Sequence, residues 1–142
     1  MKWEISGPEA VIGGIPYPDH TSQAGSFAFV NLANGNINDK GRLVSQNNKP
    51  SGPECLQFWY YSNRAEYSFG TLNLLKFSEQ IYSTPLWSQN SFEFNDWQFG
   101  QVQIGDSRNE FLFIFEVIKS GFSTNAFISI DDVILKSDAC KL

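Results

Sequence analysis

The residues able to do chemistry are few, and their types narrow the possibilities at once. One histidine is present, His20 in "PDHT". A histidine-built metal cage is thereby excluded, and a nucleophilic triad would need the fold to bring His20 beside a serine or cysteine. A loop histidine bonding its own neighbours is the plainer reading. The two cysteines, Cys55 and Cys140, have no CxxC spacing and no helix start to lower a thiol pKa, so neither reads as a nucleophile.

Carboxylates offer more. Glu9, Glu54, Glu66, Glu79, Asp106 and Asp138 read as solvated loop positions, whereas Asp19, Asp96, Glu116, Asp131 and Asp132 lie in or beside apolar runs. The pair in "ISIDDVIL" is the odd one, because neighbours on a strand point to opposite faces and at least one acid is aimed at a covered environment. A buried carboxylate without a partner costs several kcal/mol, so a cation, main-chain N–H groups or a metal ion should meet it. The alternative is two solvated acids near a strand end. A sandwich glycoside hydrolase would need two carboxyl groups facing each other about 5–9 Å apart across a cleft. Glu110 and Glu116 in "EFLFIFEVIK" are separated by apolar residues alone and look like the acidic ends of a core strand.

The elements that must position these residues are strands. "CLQFWYY" (55–61) puts Leu56, Phe58 and Tyr60 on one face and Gln57, Trp59 and Tyr61 on the other. "GTLNLLKF" (70–77) alternates, "EFLFIFEVIKSG" (110–121) is apolar on both faces, and "NAFISIDDVILK" (125–136) is rich in Ile and Val. "DWQFGQVQIGD" (96–106) changes phase at Gly100, which predicts a bulge there. "SFAFVNL" (26–32), "RLVS" (42–45) and "PLWSQ" (85–89) are further strand candidates. Turn clusters such as "NGNINDKG" and "KSGFSTN" separate them, and no segment holds a helical period. The first 18 residues, with Gly7, Pro8, Gly13, Gly14, Pro16 and Pro18, predict an irregular arm. The expected core includes Leu56, Phe58, Phe113, Phe115, Ile128 and Ile130.

Composition bounds the rest. At 142 residues the chain suits one domain, 1–142, and 42% hydrophobic against 18% charged residues places it among folded globular proteins. Its net charge is -5 and its ten Lys and Arg are scattered, so no patch could neutralise successive phosphates and nucleic acid is not an expected partner. No apolar run approaches the roughly 20 residues that cross a bilayer, so no membrane insertion by this segment is expected, and "MKWEISGPEAVIGG" is not a signal peptide. Two cysteines 85 positions apart in an aromatic, loop-rich β-protein most simply form one disulfide, which points to an extracellular compartment; free thiols in the cytosol are the other possibility. The chain is then expected to be part of a longer secreted or membrane-anchored protein, with Met1 an artefact of gene boundaries.

The order of "DHT" (19–21), Gly25, "CLQFWYY", Gly70, "LW" (86–87), Trp97, "FIFE" (113–116), Gly121, "ISIDDV" (128–133) and Cys140 resembles the MAM domain, the module of meprin, neuropilin A5 and receptor protein tyrosine phosphatase mu. The resemblance runs from about residue 3 to 140. It implies an all-β, antiparallel, jelly-roll-like sandwich of two packed sheets, concanavalin-like in class. It implies an extracellular, non-enzymatic module for adhesion or oligomerisation, with protein partners at the cell surface, in homophilic or heterophilic contact. It also implies pairing of Cys55 with Cys140, and a structural calcium or sodium ion near Asp19, Asp131 and Asp132. Family members usually begin with a further segment carrying two cysteines and a Phe-Glu pair. "KWEISGP" looks like the tail of that segment, so an edge strand, a second disulfide and one cation ligand are expected to be missing. The family's usual proline after "L-x-S" is Gln46 here.

A second function class remains on the same architecture. Sandwich lectins stack sugars on exposed aromatic rings, and Trp87, Trp97, Tyr67 and Tyr82 are the residues that would do so in a carbohydrate-binding module. Trp87 and Trp97 also match family core positions, which favours packing over binding.

Overall fold

The computed structural model describes residues 1–6, 11–12, 15–16, 27–49, 52–63, 69–92, 96–104, 109–121 and 126–141. Two antiparallel sheets face each other. The first runs in the order β1 (Trp3–Ser6), β4 (Phe27–Asn31), β12 (Phe127–Lys136), β6 (Cys55–Ser62), β10 (Gln98–Gln103). The second has β5 (Lys40–Val44), β11 (Leu112–Lys119) and β7 (Gly70–Ser78) in that order, with β8 (Ile81–Tyr82) and β9 (Trp87–Gln89) both paired to β7. β2 (Val11–Ile12) and β3 (Ile15–Pro16) form a separate small hairpin. The expected all-β sandwich is the observed one, and no α-helix occurs among the described residues.

Period-2 geometry explains the core. Leu56, Phe58 and Tyr60 on β6, Ile128 and Ile130 on β12, Leu72 and Leu74 on β7, and Phe115 and Val117 on β11 turn inward and are buried together. Five of the six core residues expected from the sequence are buried. Phe113 is the exception. It shares the parity of Phe115 but sits near the start of β11, where Leu43, Val44, Ser45, Gln46, Phe115, Ile130 and Val133 leave an open groove of about 390 Å³ against it.

The structure corrects the arm. Trp3–Ser6 is a strand, pairing in register from Trp3 with Val30 to Ser6 with Phe27. Trp3 packs against the core and its indole N–H donates to the Gly41 carbonyl at 3.1 Å, tying the edge of one sheet to the edge of the other. The alternation of "WEIS" carried this strand, and the glycines and prolines after it obscured it. Of the remaining arm, residues 7–10, 13–14 and 17–18 lie outside the described residues.

Gly100 is not a bulge. β10 keeps an unbroken register with β6 from Gln98 opposite Tyr60 to Gln103 opposite Cys55. A Cβ at Gly100 would lie 2.6 Å from Cε2 and 2.7 Å from Cζ of Phe58. Glycine is there because the ring of the residue opposite occupies the side-chain position. The sheet's bulge lies instead on β12, between Asp131 and Ile134.

The disulfide expected between Cys55 and Cys140 is present, with Cα atoms 4.9 Å apart. Cys55 opens the strand that lies between β12 and β10, and the bond holds the tail after β12 onto it.

Candidate interaction surface and the double-aspartate bulge

The bulge resolves the question posed by two acids in an apolar strand. Asp131 opposes Trp59 and Ile134 opposes Gln57, so Asp132 and Val133 together face the single residue Phe58. Asp132 takes a left-handed φ of 51°, a conformation that Asp tolerates better than most side chains, and its N–H donates to Asp131 Oδ1 at 2.8 Å. Both carboxylates are thereby kept half-buried at the sandwich rim. They border an open depression of about 330 Å³, with Ile5, Phe27, Ala28, Leu43, Ile130 and Val133 as its apolar walls.

Of the three cation ligands the resemblance implies, Asp131 and Asp132 are thus brought together, and Asp19 lies outside the described residues, as does His20. Among the described residues no group of three or more His, Cys, Asp or Glu gathers in one place. Two adjacent carboxylates fit the oxygen-donor chemistry of a hard cation and supply part of the six to eight oxygens that calcium takes.

Other acids take structural places. Glu116 faces outward from β11 and is buried, and Arg42 Nε on the neighbouring β5 donates to its Oε2 at 2.7 Å. The same guanidinium lies 4.8 Å from the centroid of the Tyr82 ring. Asn73 sits opposite Glu116 on the other side and accepts from the Ser88 hydroxyl at 2.6 Å, so a polar row crosses the outer face of the second sheet. Glu110 is exposed and accepts from Asn47. Glu116 is neutralised where it stands and is not half of an opposed pair across a cleft.

Glu54 corrects the expectation of a solvated loop acid, for it is buried. Its carbonyl accepts from the Ile104 N–H at 2.9 Å, which extends the β6–β10 ladder by one pair. Glu54 has the inward parity of Leu56 and Phe58, and its Oε1 has no hydrogen-bond partner. Counting back by twos from Phe58 would have found it.

The aromatics considered for sugar stacking are differently employed. Trp87 packs edge-on against Phe58 and Tyr60, each with ring centroids 5.0 Å away. Trp97 packs against Phe27 at 5.9 Å and Tyr61 at 5.2 Å. Tyr82 lies under Arg42, and Tyr67 is outside the described residues. Burial, aided by the negative charge of Asp96, pushes the Tyr61 phenol up to about 12.

A different aromatic pair reaches solvent. On the outer face of the first sheet Phe99 lies opposite Trp59, ring centroids 5.3 Å apart, and Phe99 is 46% exposed. Ile134, 51% exposed, follows on β12. The glutamine amides beside them are tied into the fold: Gln57 Nε2 donates to Gln101 Oε1 at 3.3 Å, Gln101 Nε2 to the Lys141 carbonyl at 2.7 Å, and Gln103 Nε2 to the Glu54 carbonyl at 3.0 Å. These bonds lace the C-terminal tail across one end of the face and leave the aromatic end open.

Comparison with known proteins gives the same architecture. Residues 1–141 match the family described as "MAM domain, meprin/A5/mu". "Thyroid hormone-induced protein B" of Xenopus laevis is 26% identical over 126 residues, 88% of this chain and 18% of that protein. "MAM domain-containing protein 2" of Homo sapiens is 30% identical over 129 residues, again 88% of this chain and 18% of that protein. The chain therefore spans under a fifth of these relatives. Among solved structures, the K1 cleaved adhesin domain of Lys-gingipain from Porphyromonas gingivalis superimposes with a TM-score of 0.68 at 12% identity, covering 97% of this chain and 85% of that one. TmCBM61 in complex with beta-1,4-galactotriose gives 0.53 at 13%, covering 94% and 86%. At such identities the likeness is one of fold, a β-sandwich. MAM domains are extracellular, non-catalytic modules that mediate protein interactions. Among the described residues no helix is long and apolar enough to cross a membrane. With its sandwich, its disulfide and a match along nearly its whole length, the chain belongs to the MAM domain family.

Proposed function

We propose that the chain is a non-enzymatic adhesion and oligomerisation module of a larger cell-surface or secreted protein, and that it engages protein partners through the outer face of its first sheet. The observation that carries this reading is the open aromatic end of that face, Phe99 and Trp59 beside Ile134, bordered by amides already bonded within the fold. Apolar and aromatic side chains at the centre of a patch with a polar rim are what protein interfaces use. A sugar site pairs stacking rings with polar groups free to meet hydroxyls, and the Gln57, Gln101 and Gln103 amides beside this pair are engaged within the fold. The test is binding of the chain to an array of deglycosylated ectodomains, this chain included, beside an array of glycans. Binding to one or more ectodomains that falls at least tenfold in Phe99→Lys is expected; binding to glycans alone, competed by free oligosaccharide, would replace this reading with the carbohydrate-binding one.

We further propose that Asp131 and Asp132, with Asp19, hold a calcium or sodium ion whose role is structural. The support is the bulge, which sets two carboxylates side by side at a half-buried rim, as oxygen donors of the kind a hard cation takes. Any such ion stabilises the folded chain by mass action. Calorimetry at millimolar calcium should raise the melting temperature of the native sequence and leave Asp131→Asn unmoved. Equal response of the two to calcium, or none in either to calcium or to sodium in place of potassium, rules the shared ion out.

A further inference from the structure

The two sulfurs of the disulfide stand in unlike surroundings. Cys55 is 1% exposed, on a strand flanked by β12 on one side and β10 on the other. Cys140 is half-buried in a tail whose neighbours Ser137, Asp138, Ala139 and Lys141 are all exposed. Both cysteines line an open depression of about 120 Å³, with Gln57, Lys136, Asp138, Ala139 and Lys141 as its other walls. The bond is therefore approached from solvent on the side of Cys140. Charge at this depression runs against the rest of the chain. A net charge of -5 repels anions from afar, but at physiological salt charges more than about 8 Å away are largely screened. Lys136 and Lys141 outnumber Asp138 among the lining residues, so the local field draws a thiolate in. Lys136 also stands opposite Cys55 in the ladder, where its charge favours a thiolate leaving on that sulfur. Gln101 Oε1 lies 3.7 Å from Cys55 Sγ, within reach of an S–H once that thiolate takes a proton.

We propose that the Cys55–Cys140 bond is a thiol-exchange site, entered by an anionic thiol at Cys140 Sγ under the pull of Lys136 and Lys141. The incoming thiolate sulfur bonds to Cys140 Sγ, the bond to Cys55 breaks, and its electron pair leaves on Cys55 Sγ, which then takes a proton from water. The product is a mixed disulfide on Cys140 and a free thiol at Cys55. The Cys140 N–H still donates to Gln103 Oε1 at 2.9 Å, and Gln101 Nε2 to the Lys141 carbonyl, which keeps the two sulfurs near each other. Attack by Cys55 on the mixed disulfide therefore expels the outside thiol and recloses the bond. Thiols outside the cell thereby set how firmly the tail is fastened across the first sheet. This holds whether or not the aromatic end of that sheet binds a partner.

Glutathione added to the folded chain, followed by acid quenching and peptide mapping by mass spectrometry, should place the adduct on Cys140 roughly tenfold more often than on Cys55. The rate is read with dihydrolipoate, an anionic dithiol. Its second sulfur displaces Cys140 from the mixed disulfide and closes a ring, so the dithiol is oxidised and both protein thiols are left reduced. That rate should be flat in urea below the unfolding transition, because the folded chain is what reacts. Lys136→Gln/Lys141→Gln, at two exposed positions, should keep the thermal transition and slow the reaction by about threefold or more. Three results overturn the site: adducts absent from the folded chain or shared evenly between the cysteines, a rate that climbs with the unfolded fraction from the first addition of urea, or a double variant that reacts as fast as the native chain.

Discussion

Loss of the Cys55–Cys140 bond, in Cys55→Ala/Cys140→Ala, is expected to cost about 4–5 kcal/mol of folding stability. The bond closes a loop of 85 positions, and restricting an unfolded chain over that length is worth roughly this much in the chain-entropy model. A domain of this size has about 5–15 kcal/mol in all, so the unbridged chain should stand near its unfolding threshold. Urea titration of the native and unbridged chains measures it, and the slope of free energy against urea should be steeper without the bond because the unfolded state is more open. A loss under about 1 kcal/mol would mean that the tail and the hydrogen bonds of Gln101 and Gln103 hold β6 and β12 together without the bond.

The second large effect is expected at Phe58. Its side chain is fully buried, meeting Phe115 and Trp87 edge-on with centroids 5.0 Å away in each case, and its ring fills the space over Gly100. Phe58→Ala should cost about 3–5 kcal/mol through lost burial and an unfilled cavity, lowering the melting temperature by roughly 10 °C or more. Gly100→Ala drives a methyl group into the same ring and should cost about 1–3 kcal/mol. Because both act on one volume, their effects should not add. Phe58→Leu should lose less stability in a Gly100→Ala background than in the native one. Additive losses would show that the ring and the glycine are independent. Phe113→Ala, on the open groove, should cost less than Phe58→Ala.

The strands that alternate over many residues were legible in the sequence, because burial on one face imposes a period that survives without any knowledge of partners. β6, β7, β11 and β12 were found near their observed bounds for this reason. β1 was hidden because a strand of four residues offers two alternations, and the glycines and prolines that follow argue for irregularity more loudly. At Gly100 the phase change was real but had two physical causes to choose from, an inserted residue or a close approach, and a single strand cannot tell them apart. The bulge at Asp131 and Asp132 was foreseen only as a problem of burying charge. Its solution, a left-handed residue that lifts both acids to the rim, depends on β6 lying opposite. The Phe99–Trp59 pair escaped because its members come from strands 40 positions apart and meet through sheet order, which no local pattern encodes.

The placement of the disulfide also determines how the domain answers a pulling force, which the adhesion role proposed above would make it bear. Tension entering at the C-terminal tail would ordinarily peel the last strand away one hydrogen bond at a time. Here the covalent link carries the load past β12 into β6, so that strands must slide against both neighbours at once, a stiffer mode than peeling. No disulfide within this chain does the same for β1, which among the described residues is held by four residue pairs to β4 and by one indole hydrogen bond to Gly41, so a pull applied at Trp3 should detach β1 first and keep the rest of the sheet clamped.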